Sequence, residues 1–271
     1  MFPQNRFLLL VPFFYLVSTR MNTPKSFLSN LSTAWIPGLL LAAWWGEADA
    51  ATSIAHYALS YLAFISIYEI GYFANDTFGT KFDETPRHRL KAAPRLFGGV
   101  IFVAVRIIAW LLLANHLNAF SSYGWLAGMA ALVTVMVMHN LLASSALKAV
   151  TFFQMSTLRF CVPLLPLVPA DRWSDILLVG VFHFVYPRFI TYLDSKGRLR
   201  IPERKSDRYG LQTQLLFLPL FALISIAVGS VLPLLVWGYY LLFQAGRFLV
   251  GEIRSARRKA APDEPIGNSE S

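Results

Sequence analysis

The chain has 271 residues, of which 56% are hydrophobic and only 14% charged, with a formal net charge of +9. A soluble domain of this length carries about a quarter charged residues, so the composition excludes an ordinary soluble fold. The basic excess is what the cytoplasmic loops of a membrane protein carry, and nucleic acid is not read as a partner. The single cysteine, Cys161, lies in an apolar run and rules out an intramolecular disulfide. The sequence has no Gly-rich phosphate loop, no paired CxxC and no HExxH.

In chain order, the first element is "FLLLVPFFYLV" at 7–17, behind Arg6. "STRMNTPK" follows it without a small-x-small cleavage site, so 1–27 reads as a cytoplasmic, interfacial segment leading into the first span rather than a removed signal. Apolar windows then predict eight spans, at 28–45, 52–75, 97–115, 120–141, 149–169, 173–193, 211–229 and 231–250. Such windows approach the length that crosses a hydrocarbon core of about 30 Å. The predicted fold class is therefore all-α, a polytopic transmembrane helical bundle spanning 28–251. The tail at 252–271 ends in "APDEPIGNSES" and reads as disordered.

Basic residues set the orientation. With both termini inside, inside segments hold nineteen of the 24 Lys and Arg: three before span one, five after span two, Lys148, six after span six and four in the tail. Outside loops hold only Arg172, and Arg106, Arg159, Arg188 and Arg247 lie within spans. This predicts a multi-pass protein of the cell or inner membrane with both termini and both long loops cytoplasmic. The long loops follow spans two and six, four spans apart, the hydropathy expected of two four-helix halves. In that plan Asp76 and Asp194 end equivalent helices.

Span two runs into "EIGYFANDTFGTKFDETPRHRL", Glu69 to Leu90. Asp76 and Asp83 are seven apart, two helical turns, and Glu69 is seven before Asp76 on the same face. Carboxylates and the Asn75 amide near a water-accessible face suit Mg²⁺, which takes one or two carboxylates with phosphate oxygens. Lys81, Arg87, Arg89 and Lys91 suit phosphate itself. A solvated loop obeying the positive-inside rule would hold the same residue types.

"NDTFGTKFD" resembles the first aspartate-rich motif of the UbiA-type intramembrane prenyltransferase superfamily, Asn-Asp-x-x-Asp-x-x-x-Asp. Asn75, Asp76 and Asp83 match, and Gly79 stands where the middle Asp is expected. "TPRHRL" is similar to the basic stretch that trails the family motif, and Leu147-Lys148 and Leu158-Arg159 resemble Leu-Lys and Leu-Arg pairs of family members. The second family motif, Asp-x-x-x-Asp, is represented by Asp194 with Arg198 in place of its second acid. "PRFITYLD" and "RYG" are loosely similar to the phosphoribosyltransferase branch of the superfamily.

The resemblance implies a Mg²⁺-dependent transferase. Asn75, Asp76 and Asp83 would hold the metal, Asp76, Asp83 and Asp194 would act in catalysis, and a polyprenyl diphosphate would be the donor. Donor contacts fall to Asn75, Lys81, Arg87, Arg89, Lys148, Arg159, Arg188 and Arg198. Phosphoribosyl transfer to a polyprenyl phosphate is the alternative within the superfamily; a transporter or non-catalytic partner subunit is the alternative of another class. Membrane lipids are partners in every case.

Charges inside spans usually face a cavity or a partner. Arg159 is read as a phosphate ligand or the partner of Glu69, Arg188 as reaching the site, and Arg106 as structural. His139 and His183 read as packing residues. Tyr68, Tyr72 and Tyr192 flank the acids and either line a pocket or fill the core.

Overall fold

A computed structural model describes residues 8–82 and 96–260. Asp83, Arg87, Arg89 and the terminal "APDEPIGNSES" lie outside the described residues. The described chain is helical throughout, with no strand. It divides into two compact units, Met1–Arg200 and Ile201–Ser271. The division falls after the sixth predicted span, not midway between two four-helix halves.

The first unit holds α1 (Phe14–Arg20), α2 (Pro24–Trp45), α3 (Ala50–Thr77), α4 (Leu96–His116), α5 (Tyr123–Leu141), α6 (Ser145–Cys161) and α7 (Ala170–Ser195). Side-chain caps fix where several of them begin. Thr23 and Ser26 form a capping box ahead of α2, with Pro24 at its first position. Asp49 accepts from the Ala51 and Thr52 amides at α3, Ser122 from Trp125 at α5, and Ser144 from Leu147 at α6. α3 is the central element, packed against α2, α4 and α5. Gly71 lets α3 and α5 approach, since a Cβ there would meet the Met136 Sδ at 2.2 Å.

Two helices carry a wide π-helical turn, Leu31–Trp35 in α2 and Val181–Val185 in α7. Each is followed by one residue and then a proline, Pro37 and Pro187. A proline ring collides with the carbonyl four residues back and offers no N–H, and widening the turn relieves both problems. The two wide turns pack against each other. They re-aim the flanking side chains, among them Asn30 and Arg188.

The second unit holds α8 (Asp207–Leu216), α9 (Leu218–Val228) and α10 (Leu232–Ala260). α8 and α9 are bent by 42° at Phe217, one residue before Leu218-Pro219. Gly229, at φ +63°, ends α9 in the left-handed conformation that glycine tolerates. Within this unit Trp237 donates to the Gln214 carbonyl at 2.8 Å, and Arg247 pairs with Asp207.

Among the described residues six helices are long and apolar enough to cross a membrane, or seven if α8 and α9 count as one span. Val100, Ile108 and Leu112 on α4 stay exposed, as does Leu242 on α10, which suits contact with lipid. The predicted span at 149–169 is not among them. Its helix, α6, ends at Cys161 ahead of a 3₁₀ turn containing Pro163. It also buries Lys148 and Arg159, so its polar side faces protein. The segment predicted to be disordered from 252 is helical through Ala260.

Candidate functional site

The acids of α3 meet the N-terminal segment first. Glu69 and Asp76, two turns apart, are both buried on one face. Glu69 accepts from the Leu16 amide at 2.7 Å, the Phe13 amide at 3.1 Å and Arg106 Nε at 2.9 Å. Arg106 completes the ring by donating to the carbonyls of Leu9, Leu10 and Val11. The partner of Glu69 is therefore Arg106, not Arg159, which corrects that sequence expectation and supports the structural reading of Arg106. A short segment such as 8–20 has little helical stability of its own, and these bonds hold it in the bundle. Tyr15, Leu16 and Val17 are buried, so α1 packs inside the unit rather than lying along an interface.

Asp76 is the second clamp. Arg20 grips it with both terminal nitrogens, at 2.8 and 3.0 Å, and the Tyr15 hydroxyl donates at 2.7 Å. Its side chain is fully withdrawn from solvent. Burial, with the carboxylate alongside, pushes the Tyr15 phenol well above its ordinary range, so it remains a donor. The back of the Arg20 guanidinium lies 4.5 Å over the Tyr72 ring.

Beyond Arg20 opens a cavity of about 340 Å³ in the first unit. Five cationic side chains line it: Arg20, Lys148, Arg159, Arg188 and Lys196. Lining carboxylates are absent among the described residues. Asn30, Asn75, Asn140 and Ser195 add neutral polar groups, and Tyr68, Tyr72 and Tyr192 add aromatic walls. His139 also reaches the cavity, with Nδ1 2.7 Å from Thr151 Oγ1.

Two of these cations have an unusual arrangement. Arg159 donates to the Tyr61 hydroxyl and to Asn30 Oδ1, both at 3.1 Å. Arg188 donates to the same Asn30 oxygen at 3.4 Å and lies 4.8 Å over the Phe184 ring. Neither has a carboxylate partner among the described residues. A buried and a half-buried guanidinium share one neutral oxygen, with no carboxylate beside them among the described residues, a positive charge that an anion in the cavity would offset.

Of the site residues predicted from the sequence, Asn75, Lys148, Arg159 and Arg188 come together at the cavity. Asp76 and Asp194 do not line it, although Tyr192, Ser195 and Lys196 around Asp194 do. Lys81 is exposed on the 3₁₀ turn Gly79–Phe82. Arg198 is exposed and donates to the Ser145 hydroxyl at 2.6 Å, away from the cavity. Asp83, Arg87 and Arg89 lie outside the described residues. Arg20, Asn30 and Asn140 were not singled out for this role from the sequence; Arg20 and Asn30 come from the N-terminal fifth of the chain and join by contacts of long sequence separation.

The described residues do not fit Mg²⁺. Asp76 is saturated by Arg20 and Tyr15, Glu69 by Arg106 and two amides, and no group of three His, Cys, Asp or Glu among the described residues is placed to hold a metal. Gly79 is buried against Asn75, and a Cβ there would lie 2.8 Å from Asn75 Oδ1. The middle Asp of the family motif has no room unless Asn75 turns away. Comparison with family models, curated proteins and solved structures finds no match to the chain.

Proposed function

We propose that the protein is an integral-membrane transferase of the UbiA type, which seats the diphosphate of a polyprenyl diphosphate in this cavity and passes the prenyl group to an acceptor. The observation that carries the reading is the pair of buried Arg159 and half-buried Arg188, without an acid partner among the described residues at a cavity lined by cations. As the bond between prenyl carbon and bridging oxygen breaks, its electron pair stays on the leaving diphosphate. Guanidiniums already oriented by Tyr61 and Asn30 meet that growing charge without reorganising. The faces of Tyr68, Tyr72 and Tyr192 suit the allylic cation left behind, which the nucleophile of the acceptor then captures.

Phosphoribosyl diphosphate is the second reading, favoured by the number of cations and by neutral hydroxyl-binding groups such as Asn30, Asn75 and Ser195. Calorimetric titration of the protein in nanodiscs separates the two donors. Farnesyl diphosphate is expected to bind, and to bind still after Lys196→Gln. Selective binding of phosphoribosyl diphosphate that collapses in that variant would replace the first reading with the second. Binding of neither donor would favour the transporter or partner-subunit alternative.

The proposed orientation has its own test. A cysteine at Ser195, on the cavity rim, is expected to resist a membrane-impermeant maleimide in intact cells, whereas one at Asp171 reacts. Labelling at 195 from outside would invert the topology.

A further inference from the structure

We infer that this site holds its diphosphate without a divalent cation, the fixed cationic side chains taking the place that Mg²⁺ has in the superfamily the sequence resembles. The inference rests on the reading that the cavity takes a diphosphate. It deepens that reading by naming what neutralises the anion.

A Mg²⁺-bridged diphosphate needs protein oxygens to hold the metal, and among the described residues the acids nearest the cavity are engaged elsewhere. Asp76 has both oxygens in the Arg20 fork and a third bond from Tyr15. Glu69 is consumed by Arg106 and the Phe13 and Leu16 amides. Asp194 is not on the cavity wall. Among the described motif residues, the one that faces the cavity is Asn75, a neutral amide able to donate to a phosphate oxygen.

The packing of Gly79 points the same way. Adding the family's middle acid there would press into the Asn75 carboxamide and turn that amide from its place. The cations do the rest. Guanidinium forks match phosphate oxygens in pairs, and Lys148 and Lys196 add point charges on other walls. A divalent cation entering with the donor would meet Arg159, Arg188 and Lys196 and no carboxylate among the described lining residues.

The test is titration of farnesyl diphosphate and of inorganic pyrophosphate into the full chain in nanodiscs, in EDTA and in excess Mg²⁺, correcting for metal–diphosphate pairing in solution. Affinities in the two media are expected to agree within about threefold. Arg159→Gln is expected to lower both by about thirtyfold or more. Should Arg159→Gln fail to fold, Arg188→Gln, at a half-buried position on the cavity, is expected to weaken binding alike in both media. A larger gain with Mg²⁺ overturns the inference and leaves the diphosphate reading standing. Absence of binding in both media overturns the reading itself.

Discussion

Arg159→Gln is expected to lower diphosphate affinity by about thirtyfold or more while leaving the free protein at least as resistant to heat as the wild type. The two effects have one cause. In the free protein Arg159 is a buried cation whose partners, Tyr61 and Asn30, are neutral. Holding such a charge away from water without a counter-ion costs free energy, so its removal does not weaken the fold. With a diphosphate in the cavity the same charge makes a desolvated ionic hydrogen bond, and truncating one side of such a pair costs about 2–5 kcal/mol. Titration and thermal unfolding of one preparation check both halves. A variant that melts earlier and binds normally would make Arg159 a packing residue.

Glu69→Ala is expected to be the most destabilising single change in the first unit. It strands Arg106, which is wholly buried, and removes the acceptor for the Phe13 and Leu16 amides. Breaking a buried ion pair on one side costs about 3–5 kcal/mol. The loss is directional: it releases the segment that carries Tyr15 and Arg20, so the cavity loses one of its cations. An introduced cysteine at Val17, buried in the wild type, should become reactive to maleimide, and the melting temperature should fall. Arg106→Met placed on top of Glu69→Ala should recover part of the stability, because the orphaned cation is gone. Full protection of position 17 in Glu69→Ala would show that hydrophobic packing of Leu16 and Met21 alone holds the segment.

The apolar windows of the sequence located most of the helices, because a membrane helix satisfies its own backbone and needs only length and hydrophobicity. They misread 149–169. There α6 keeps a polar side with Lys148 and Arg159 buried against protein, and hydropathy averages over faces that a folded bundle separates. The seven-residue spacing of Glu69 and Asp76 was legible, and the two do share a face. What they face was not, since their partners Arg106, Tyr15 and Arg20 lie 37 to 61 residues away and nothing local encodes those contacts.

Arg159 and Arg188 stood out as charges inside apolar runs, which is the form a functional residue takes in a membrane protein. Asn30 did not, because an Asn near the start of a span is ordinary. It becomes informative only when the wide turns of α2 and α7 bring it between two guanidiniums. Gly79 looked like a gap in a metal motif. In the structure a side chain there would displace the Asn75 carboxamide.

The central claim is that the cavity exists to hold a phosphorylated, anionic ligand. Mass spectrometry of lipids and small molecules released from the protein, purified in mild detergent, tests it most directly, with an Arg159→Gln, Arg188→Gln double variant prepared in parallel. The account predicts a phosphate- or diphosphate-bearing molecule, with a prenyl chain under the leading reading, that is enriched in the wild type and absent from the double variant. Bulk phospholipid in the same proportions from both preparations, with no phosphorylated species lost on removing the two guanidiniums, would contradict it.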